Sequence, residues 1–253
     1  MKLATWNVNS LNVRLTHVLD WTAKHSPDVL CLQETKLEDA KFPAEALREA
    51  GYRALFSGQR TYNGVAILSR EAATEPQKGI PGLDDDQQRV LAATIAGVRV
   101  VCAYVPNGES LESPKFQYKM QWLTAFREWL RGELQRHPRL VVAGDYNIAP
   151  EARDVHDPEL WASKIHFTPP ERHALHALFG IGLADAFRLF DQPERSYTWW
   201  DYRMMAFRRN HGLRIDLILA SKALAAGCSG AAIDLAPRKL DKPSDHAPVV
   251  AIL

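Results

Sequence analysis

The sequence predicts a mixed α/β fold with antiparallel pairing between several strands, formed as a single domain over residues 1–253. Two observations support this. Apolar strand-like runs outnumber the helical patterns, and several follow one another with no helix between them. No Gly/Ser-rich or Pro-rich stretch divides the chain, and its 46% hydrophobic and 24% charged residues are ordinary for a globular protein.

The first half of the chain predicts five strands and two helices. KLATWNVN is a strand, and a helix follows over roughly residues 12–24, where apolar residues recur at helical spacing. VLCLQE predicts a buried strand that ends at Glu34, and Ala44 to Ala50 predicts a short helix that Gly51 ends. YRALFS and GVAILS predict two strands joined by the hairpin-like link QRTYN. DDDQQR is expected to be a solvated loop before the strand VRVVCAYV.

The second half begins with the longest helical pattern, residues 115–136, whose apolar side chains recur every three or four positions. LVVAGDYN then predicts a strand. Thr168-Pro169 predicts the start of a helix that runs through Leu178 and is stopped by Gly180. Three late strands are expected in SYTWW, RIDLILAS and APVVAIL.

Charge and composition give little direct evidence on partners. Lys+Arg is 31 and Asp+Glu is 30, so the net charge of +1 neither indicates nor excludes nucleic acid. No run of 18 apolar residues exists that could span a membrane, and polar Asn7, Asn9 and Ser10 come too early for a signal peptide. Three widely spaced cysteines do not predict a disulfide framework. We therefore expect a cytoplasmic protein rather than a secreted nuclease.

Polar side chains recur where the apolar strands end. They are Asn7 and Asn9, Glu34, Tyr104, Asp145 and Asn147, Asp216, and Asp245-His246. Taken singly, each also fits a turn, a cap or a solvated strand end. Burial of a carboxylate is costly unless it is paired or binds a metal, so six such strand ends together favour a functional site.

Two pairs carry most of this argument. Asp145 and Asn147 are two residues apart, so a strand end would direct both to the same side. Asp216 lies between Ile215 and Leu217, where exposure to solvent is awkward, and its carboxylate needs a donor. His246 is the expected partner; the alternative is a structural contact between Asp216 and backbone.

Seven segments occur in the order found in the exonuclease III family: NVNSL, LQETK, YVPNG, GDYNIAP, TWWDYR, GLRIDLILAS and KPSDHAPV. From Lys2 to Val250 the chain resembles this family of Mg-dependent AP endonucleases and 3′-exonucleases, part of the endonuclease/exonuclease/phosphatase superfamily. The resemblance implies a four-layer sandwich, in which two packed mixed β-sheets are flanked by helices.

The resemblance also implies a metal site. Glu34 would bind the divalent ion, and Asn7 and Asp245 would help directly or through water. Carboxylate and amide oxygens favour Mg²⁺, with Mn²⁺ able to substitute, over Zn²⁺.

Catalytic roles are implied in the same way. Asp145 would orient and deprotonate the attacking water, and Asn147 would stabilise the developing oxyanion. Tyr104 would contact the scissile phosphate, as would His246 paired with Asp216. These roles agree with the chemistry of phosphate hydrolysis, because fixed donors and a metal ion stabilise the negative charge that grows on a phosphoryl oxygen.

A basic and aromatic segment is the expected substrate contact. Residues 203–214 hold Arg203, Arg208, Arg209 and Arg214 with no acid among them, and tryptophans precede them. Such a mixture suits phosphate contacts and stacking, although a solvated loop over core tryptophans is the alternative. The complete set of expected substrate contacts is Asn9, Lys36, His166, Phe167, Trp199, Trp200, Arg203, Arg208, Arg209 and Leu213. Lys115 and Lys119 could touch phosphates or be solvated.

One residue departs from the family pattern. The position before Phe in the FTPPER-like segment usually holds a small residue, and here it is His166. An imidazole at the rim of a deoxyribose pocket would occupy space that an extruded abasic nucleotide needs; the alternative is a ring that points outward.

The function predicted from the sequence is a Mg-dependent 3′-exonuclease and 3′-phosphatase or phosphodiesterase with reduced AP-endonuclease activity. Its partner would be duplex DNA with an abasic site, nick or recessed 3′ end, bound by a monomer. A full AP endonuclease, a small-molecule or lipid phosphodiesterase, and a non-catalytic DNA-binding module are the alternatives.

Overall fold

A computed structural model describes all 253 residues as two six-stranded β-sheets packed face to face, with helices on their outer faces. The strands are β1 (Lys2–Asn7), β2 (Val29–Gln33), β3 (Arg53–Ser57), β4 (Val65–Ser69), β5 (Ala73–Lys78), β6 (Val90–Ile95), β7 (Val98–Tyr104), β8 (Leu140–Asp145), β9 (Leu183–Asp185), β10 (Asp216–Ser221), β11 (Gly230–Ile233) and β12 (Val249–Ile252). The helices are α1 (Leu11–His25), α2 (Ala44–Glu49), α3 (Pro114–Arg136), α4 (Pro158–Trp161), α5 (Pro169–Gly180), α6 (Ala206–Arg209) and α7 (Lys222–Ala225).

Each sheet contains one parallel pair among antiparallel neighbours. The first sheet has the order β11-β12-β1-β2-β4-β3, and β1 and β2 are its parallel pair. The second has the order β5-β6-β7-β8-β10-β9, and β7 and β8 are its parallel pair. The mixed α/β class and the four-layer arrangement expected from the sequence are therefore confirmed.

Strand β7 shows how the layers are filled. Its side chains alternate between two apolar clusters: Val101 and Ala103 pack toward α3, while Val100 and Cys102 pack toward the first sheet. A strand has a period of two, so a central strand covered on both faces is apolar at every position. Cys102 and Cys31 are buried free thiols in the layer between the sheets.

Four strands were not predicted, and one predicted strand is absent. β5, β6, β9 and β11 were missed; β5 carries mostly exposed residues, and β9 and β11 are short, so all three lack a long apolar run. SYTWW forms no ladder. Its Thr198 hydroxyl accepts the N–H groups of Ile215 and Asp216, and Trp199 makes only isolated bridges to Leu213 and His246.

None of the helices combines the length and apolar character needed to cross a membrane.

Candidate active site

Strand register brings the polar strand ends to one edge of the sandwich. Because β1 and β2 are parallel, Asn7 and Glu34 lie at the same end of the first sheet. In the second sheet Tyr104 of β7 pairs in register with Asp145 of β8. Asp216 begins the antiparallel β10 directly opposite Asp145. Residues far apart in sequence therefore meet because of strand direction and register.

Unusual backbone conformations aim the side chains at this edge. Glu34 and Asn147 have φ angles of 52° and 49°, in the left-handed region that non-glycine residues rarely adopt. The residue directly before Asp145 is Gly144. Glycine is needed there because a Cβ at this position would overlap the carbonyl oxygen of Ala103 on β7. Such strain is typical of active sites, where the surrounding structure holds it in place.

Asn7 joins the two sheets across the site. Its Nδ2 donates to Glu34 Oε1 at 2.8 Å and to Asp145 Oδ2 at 2.9 Å. Its Oδ1 accepts the N–H of Asn9 at 2.9 Å. In this arrangement Asn7 orients the two carboxylates with its amide donors, and its oxygen accepts one hydrogen bond, from Asn9.

A cation site fits between the carboxylates. Ligand atoms of Glu34, Asp145 and His246 all lie within 4.8 Å of one another. His246 is engaged through its Nδ1 with Asp216, so the carboxylate oxygens are the suitable ligands, and these favour a hard divalent ion. Burial opposes ionisation of Glu34, but Lys36 at 2.8 Å and the Asn7 amide lower the pKa of this carboxyl below its usual value.

Asp245 was expected to help hold the metal, and the structure places it outside this group. Its Oδ1 accepts from Asn9 Nδ2 at 2.9 Å and its Oδ2 accepts from Trp199 Nε1 at 3.0 Å. Both oxygens are thus used to fix neighbouring side chains. The physical reason is that Asp245 and His246 are adjacent, and the chain directs them to different partners. Lys36 also bonds Asn9 Oδ1 at 2.6 Å, which completes an ordered rim.

His246 lies between two buried carboxylates. Its Nδ1 is 2.9 Å from Asp216 Oδ2, and its Nε2 is 3.8 Å from Asp145 Oδ2. Burial alone would lower the pKa of His246, but Asp216 and Asp145 raise it to about 10, so the ring is a cation at neutral pH. Burial raises the pKa of Asp145 to about 7, with Asp216 adding to the rise and His246 opposing it. Asp145 can therefore accept a proton near neutral pH.

Tyr104 and Asn147 supply neutral donors beside Asp145. Burial, with the charges of Glu34 and Asp145, raises the pKa of Tyr104 well above its usual value, so the phenol keeps its proton. The backbone N–H of Asn147 donates to Asp145 Oδ1 at 2.8 Å, and its Nδ2 donates to the carbonyl of Val105 at 3.0 Å. These contacts hold the amide at the site.

Asn107 was missed in the sequence analysis. Its Nδ2 donates to Asn147 Oδ1 at 3.3 Å, so it supports the orientation of that amide. The available signal was its position three residues after Tyr104, in the YVPNG segment. Because strand β7 ends at Tyr104, the loop that follows lies beside Asn147 at the end of β8.

A cavity of about 470 Å³ is linked to these residues through His166, which lines it and bonds the carbonyl of Asn147 at 2.8 Å. Its wall includes His166, Trp161 and Trp199, with the imidazole centroid 6.2 Å from each indole centroid. His166 is only 6% exposed, so it does not point out into bulk solvent, and it is one of the residues that line the cavity. Phe167 and Leu213 were expected at this wall; both are buried in a cluster that packs against the two tryptophans and do not line the cavity.

The basic segment divides into exposed and buried parts. Arg208 and Arg209 are exposed, and Arg203 lines the cavity while pairing with Asp201 at 2.7 Å. Two expectations are wrong. Trp200 is 1% exposed and packs against Phe207, so it offers no face for stacking.

Arg214 is the second correction. It is buried and pairs with Asp154 and Asp185, each at 2.7 Å, so it cannot meet DNA phosphates. Both acids lie outside the 203–214 window that suggested a basic cluster, and only the tertiary fold brings them to Arg214. Of the expected contact set, Phe167, Leu213 and Trp200 are buried away from the cavity, and Arg214 is also excluded from the basic cluster of residues 203–214.

A pair of carboxylates suited to a divalent cation, next to an imidazolium, an amide and a phenol, defines an enzyme that hydrolyses phosphate esters. Residues 4–246 match the model of the Endonuclease/Exonuclease/phosphatase family, and the chain belongs to that family. Exodeoxyribonuclease III of Haemophilus influenzae is 34% identical over 264 aligned residues, which cover 99% of this chain and 99% of that protein. The family predicted from the sequence is confirmed, and the chain is a nuclease of the exonuclease III type.

Two solved structures are similar over their whole length. A variant of the Neisseria 3′ phosphatase NExo, bound to a product DNA hairpin, has 51% identity and a TM-score of 0.98, and the match covers 100% of this chain and 99% of that one. An AP endonuclease from Archaeoglobus fulgidus has 40% identity and a TM-score of 0.97, with the same coverage.

Proposed function

We propose that this protein is a Mg²⁺-dependent 3′-end-processing enzyme of duplex DNA, acting as a 3′–5′ exonuclease and a 3′-phosphatase or phosphodiesterase. The observation that carries this proposal is the position of His166, whose imidazole occupies one wall of the cavity beside Asn147 and Trp199. One copy of the chain would bind the DNA. Within the nuclease family already assigned, the proposal concerns whether the enzyme cuts phosphoesters at a 3′ end or at an internal abasic site.

The chain's own residues can perform the hydrolysis. Asp145 would accept the proton of the attacking water, for which a pKa of about 7 is suitable. The His246 cation, the Tyr104 phenol and the Asn147 amide would donate to the phosphoryl oxygens, where negative charge grows. Glu34 would hold the Mg²⁺ ion, which supplies further positive charge at the phosphate when bound.

The cavity favours a terminal nucleotide. An internal abasic nucleotide must be rotated out of the duplex, whereas a nucleotide at a 3′ end has its backbone free on one side. The His166 ring reduces the space at the wall where the extruded sugar would lie. The similarity to a structure described as a Neisseria 3′ phosphatase supports this assignment.

A full AP endonuclease is the second candidate. It is favoured by the 40% identity and TM-score of 0.97 to the Archaeoglobus AP endonuclease. The two candidates differ in the rate ratio between internal and terminal cleavage. They do not differ in the residues assigned to the chemistry.

A panel of DNA duplexes tests the proposal. The substrates are a recessed 3′ end, a nick with a 3′-phosphate, and an internal tetrahydrofuran abasic analogue, each with Mg²⁺, Mn²⁺ or EDTA. We expect 3′-end processing with either metal, none in EDTA, and slower internal cleavage. Equal internal and terminal rates would favour the AP endonuclease. Hydrolysis of phosphoinositide or sphingomyelin in place of DNA would reject both candidates.

Metal binding is tested separately from activity. Glu34→Ala should lose most activity and weaken Mn²⁺ binding measured by titration calorimetry, while its circular dichroism spectrum stays unchanged. The matched control is Glu38→Ala, because the Glu38 side chain is 42% exposed and pairs with Lys41 at 3.2 Å. Full turnover of the native enzyme in EDTA would reject the metal assignment.

A further inference from the structure

Lys119 in α3 is fully buried, although the sequence suggested a phosphate contact or a solvated side chain. Its ammonium has three hydrogen-bond partners. Nζ donates to Glu171 Oε1 at 2.6 Å, to the carbonyl of Asn147 at 2.8 Å and to the carbonyl of Asn107 at 3.1 Å. All three N–H donors are thus used within the protein, and none is directed at solvent or substrate.

Two of these partners belong to loops of the active site. Asn147 carries the amide beside Asp145, and Asn107 donates to the Oδ1 of that amide. The carbonyl of Asn147 also bonds His166 Nδ1 at 2.8 Å. Since Asn147 has a φ of 49°, its peptide needs contacts of this kind to stay in a conformation that is otherwise unfavourable.

The third partner extends the same network to the cavity wall. Glu171 Oε1 also accepts the backbone N–H of His166 at 3.0 Å. Its Oε2 accepts the N–H of Thr168 at 3.0 Å and the Thr168 hydroxyl at 2.7 Å, which caps α5. His166 itself has a φ of 77°. The Lys119–Glu171 ion pair therefore contacts both the peptide of Asn147 and the peptide of His166.

We propose that Lys119 is a positioning residue, which fixes Asn147 and His166 relative to each other without touching the substrate. Stability alone is a weak reason for such a pair, because replacing a buried ion pair with apolar residues is often neutral or stabilising. Apart from Glu171, the partners of the Lys119 ammonium are not acids. They are two backbone carbonyls, one from each of two active-site loops. The inference rests on the proposed function only for the choice of assay substrates.

The same helix offers a matched control. Near the other end of α3, Glu133 pairs with Arg99 at 2.7 Å, and both side chains are buried. Arg99 lies near the start of β7, whereas Tyr104 lies at its end, so this pair is remote from the active site. Arg99→Met removes one charge from a buried ion pair, as Lys119→Met does. Arg99, however, has no contact with Asn147 or His166.

The first measurement is the single-turnover rate on a recessed 3′ end at saturating DNA, per active enzyme. We expect Lys119→Met to lose at least about tenfold, since a 1 Å misplacement can cost about 10²-fold, while the Kd for DNA stays within about twofold. Lys119→Arg should recover part of the rate. Arg99→Met should lower Tm without lowering this rate. A native rate in folded Lys119→Met, or an equal loss in Arg99→Met, would overturn the proposal.

The second measurement does not depend on activity. Amide hydrogen exchange at Asn147 and His166 should be faster in Lys119→Met than in Arg99→Met or the native protein. If Lys119→Met does not fold, Glu171→Gln tests the same network from the other side and should show the same faster exchange. Unchanged exchange at both amides rejects the positioning role. If the native protein processes no DNA end, the proposed function fails, and exchange still decides the role of Lys119.

Discussion

The Nδ1 atom of His246 lies 2.9 Å from Oδ2 of Asp216, and both side chains are buried. This contact orients the ring so that Nε2 faces Asp145, 3.8 Å from Oδ2. The pair links β10 to the loop that precedes β12. It makes His246 a fixed cation at the point where a phosphoryl oxygen would gain charge.

The first prediction concerns this pair. His246→Ala and Asp216→Asn should each slow the chemical step by at least about 10²-fold, the usual scale for a positioned donor. Because Asp216 acts through His246, the double variant should lose much less than the sum of the two losses. Single-turnover rates check this, and additive losses would show that the residues act independently.

The pH profile of Asp216→Asn is a separate prediction. The pKa of His246 is raised to about 10, so in the native enzyme the cation persists to alkaline pH. Without the Asp216 charge this pKa falls, and the cation is lost at a lower pH. The activity deficit should therefore be larger at pH 8.5 than at pH 6. The half-buried pair His25–Asp234, at 3.2 Å, provides the control: Asp234→Asn should leave the profile unchanged.

Changes at His166 test substrate selection. His166→Gly and His166→Ala should both raise cleavage at an internal abasic analogue more than cleavage at a recessed 3′ end, because both remove the ring from the cavity wall. Only glycine suits a φ of 77°, so His166→Gly should be the more stable of the two by about 1 kcal/mol. Urea unfolding measures that difference. Native cleavage of internal sites as fast as 3′ ends would show that the ring does not obstruct the cavity.

Salt dependence tests the DNA contact surface. Arg208 and Arg209 are exposed in α6, and each neutralised phosphate contributes about −0.9 to the slope of log K against log salt. Replacing both with Ala should therefore flatten the slope by up to about 2. Replacing Arg131 and Arg136 on the distal part of α3 removes the same charge and should not change it. An unchanged slope in the first variant would place the DNA elsewhere.

The buried Asp154 cluster predicts a stability effect. Burial opposes ionisation of Asp154, but Arg214 and Arg188 hold the pKa of this carboxyl below its usual value. Asp154→Asn should lower the free energy of unfolding by about 3–5 kcal/mol at pH 7, the usual cost of breaking a buried ion pair. Because the pKa of Asp154 is lower in the folded than in the unfolded protein, ionised Asp154 contributes fully to the free energy of unfolding above a pH of about 3.9, the ordinary pKa of Asp. This contribution is lost as the pH falls below that value. The difference in the free energy of unfolding between the native protein and Asp154→Asn should therefore be constant from pH 7 to pH 5 and shrink only at lower pH.

Much of the site was predictable because strand ends have a local signature. Glu34, Asp145 and Asp216 each follow or begin an apolar run, and buried carboxylates in such places need a partner or a metal. The pairing of Asp216 with His246 was expected for that reason and is present in the structure. Long helical patterns such as residues 115–136 were also predicted, since periodicity over many residues is a strong local signal.

The sequence by itself determined the mixed fold class, the family and the residues that meet at the strand ends. The tertiary structure alone decided which basic and aromatic residues are free to meet DNA, and what the buried ones do. Arg214 and Lys119 look like surface cations in the sequence, yet each lies inside against acids or carbonyls from distant segments. A charge can be buried only where the fold supplies partners, and those partners lie between 12 and 60 positions away in the chain, where no local pattern identifies them.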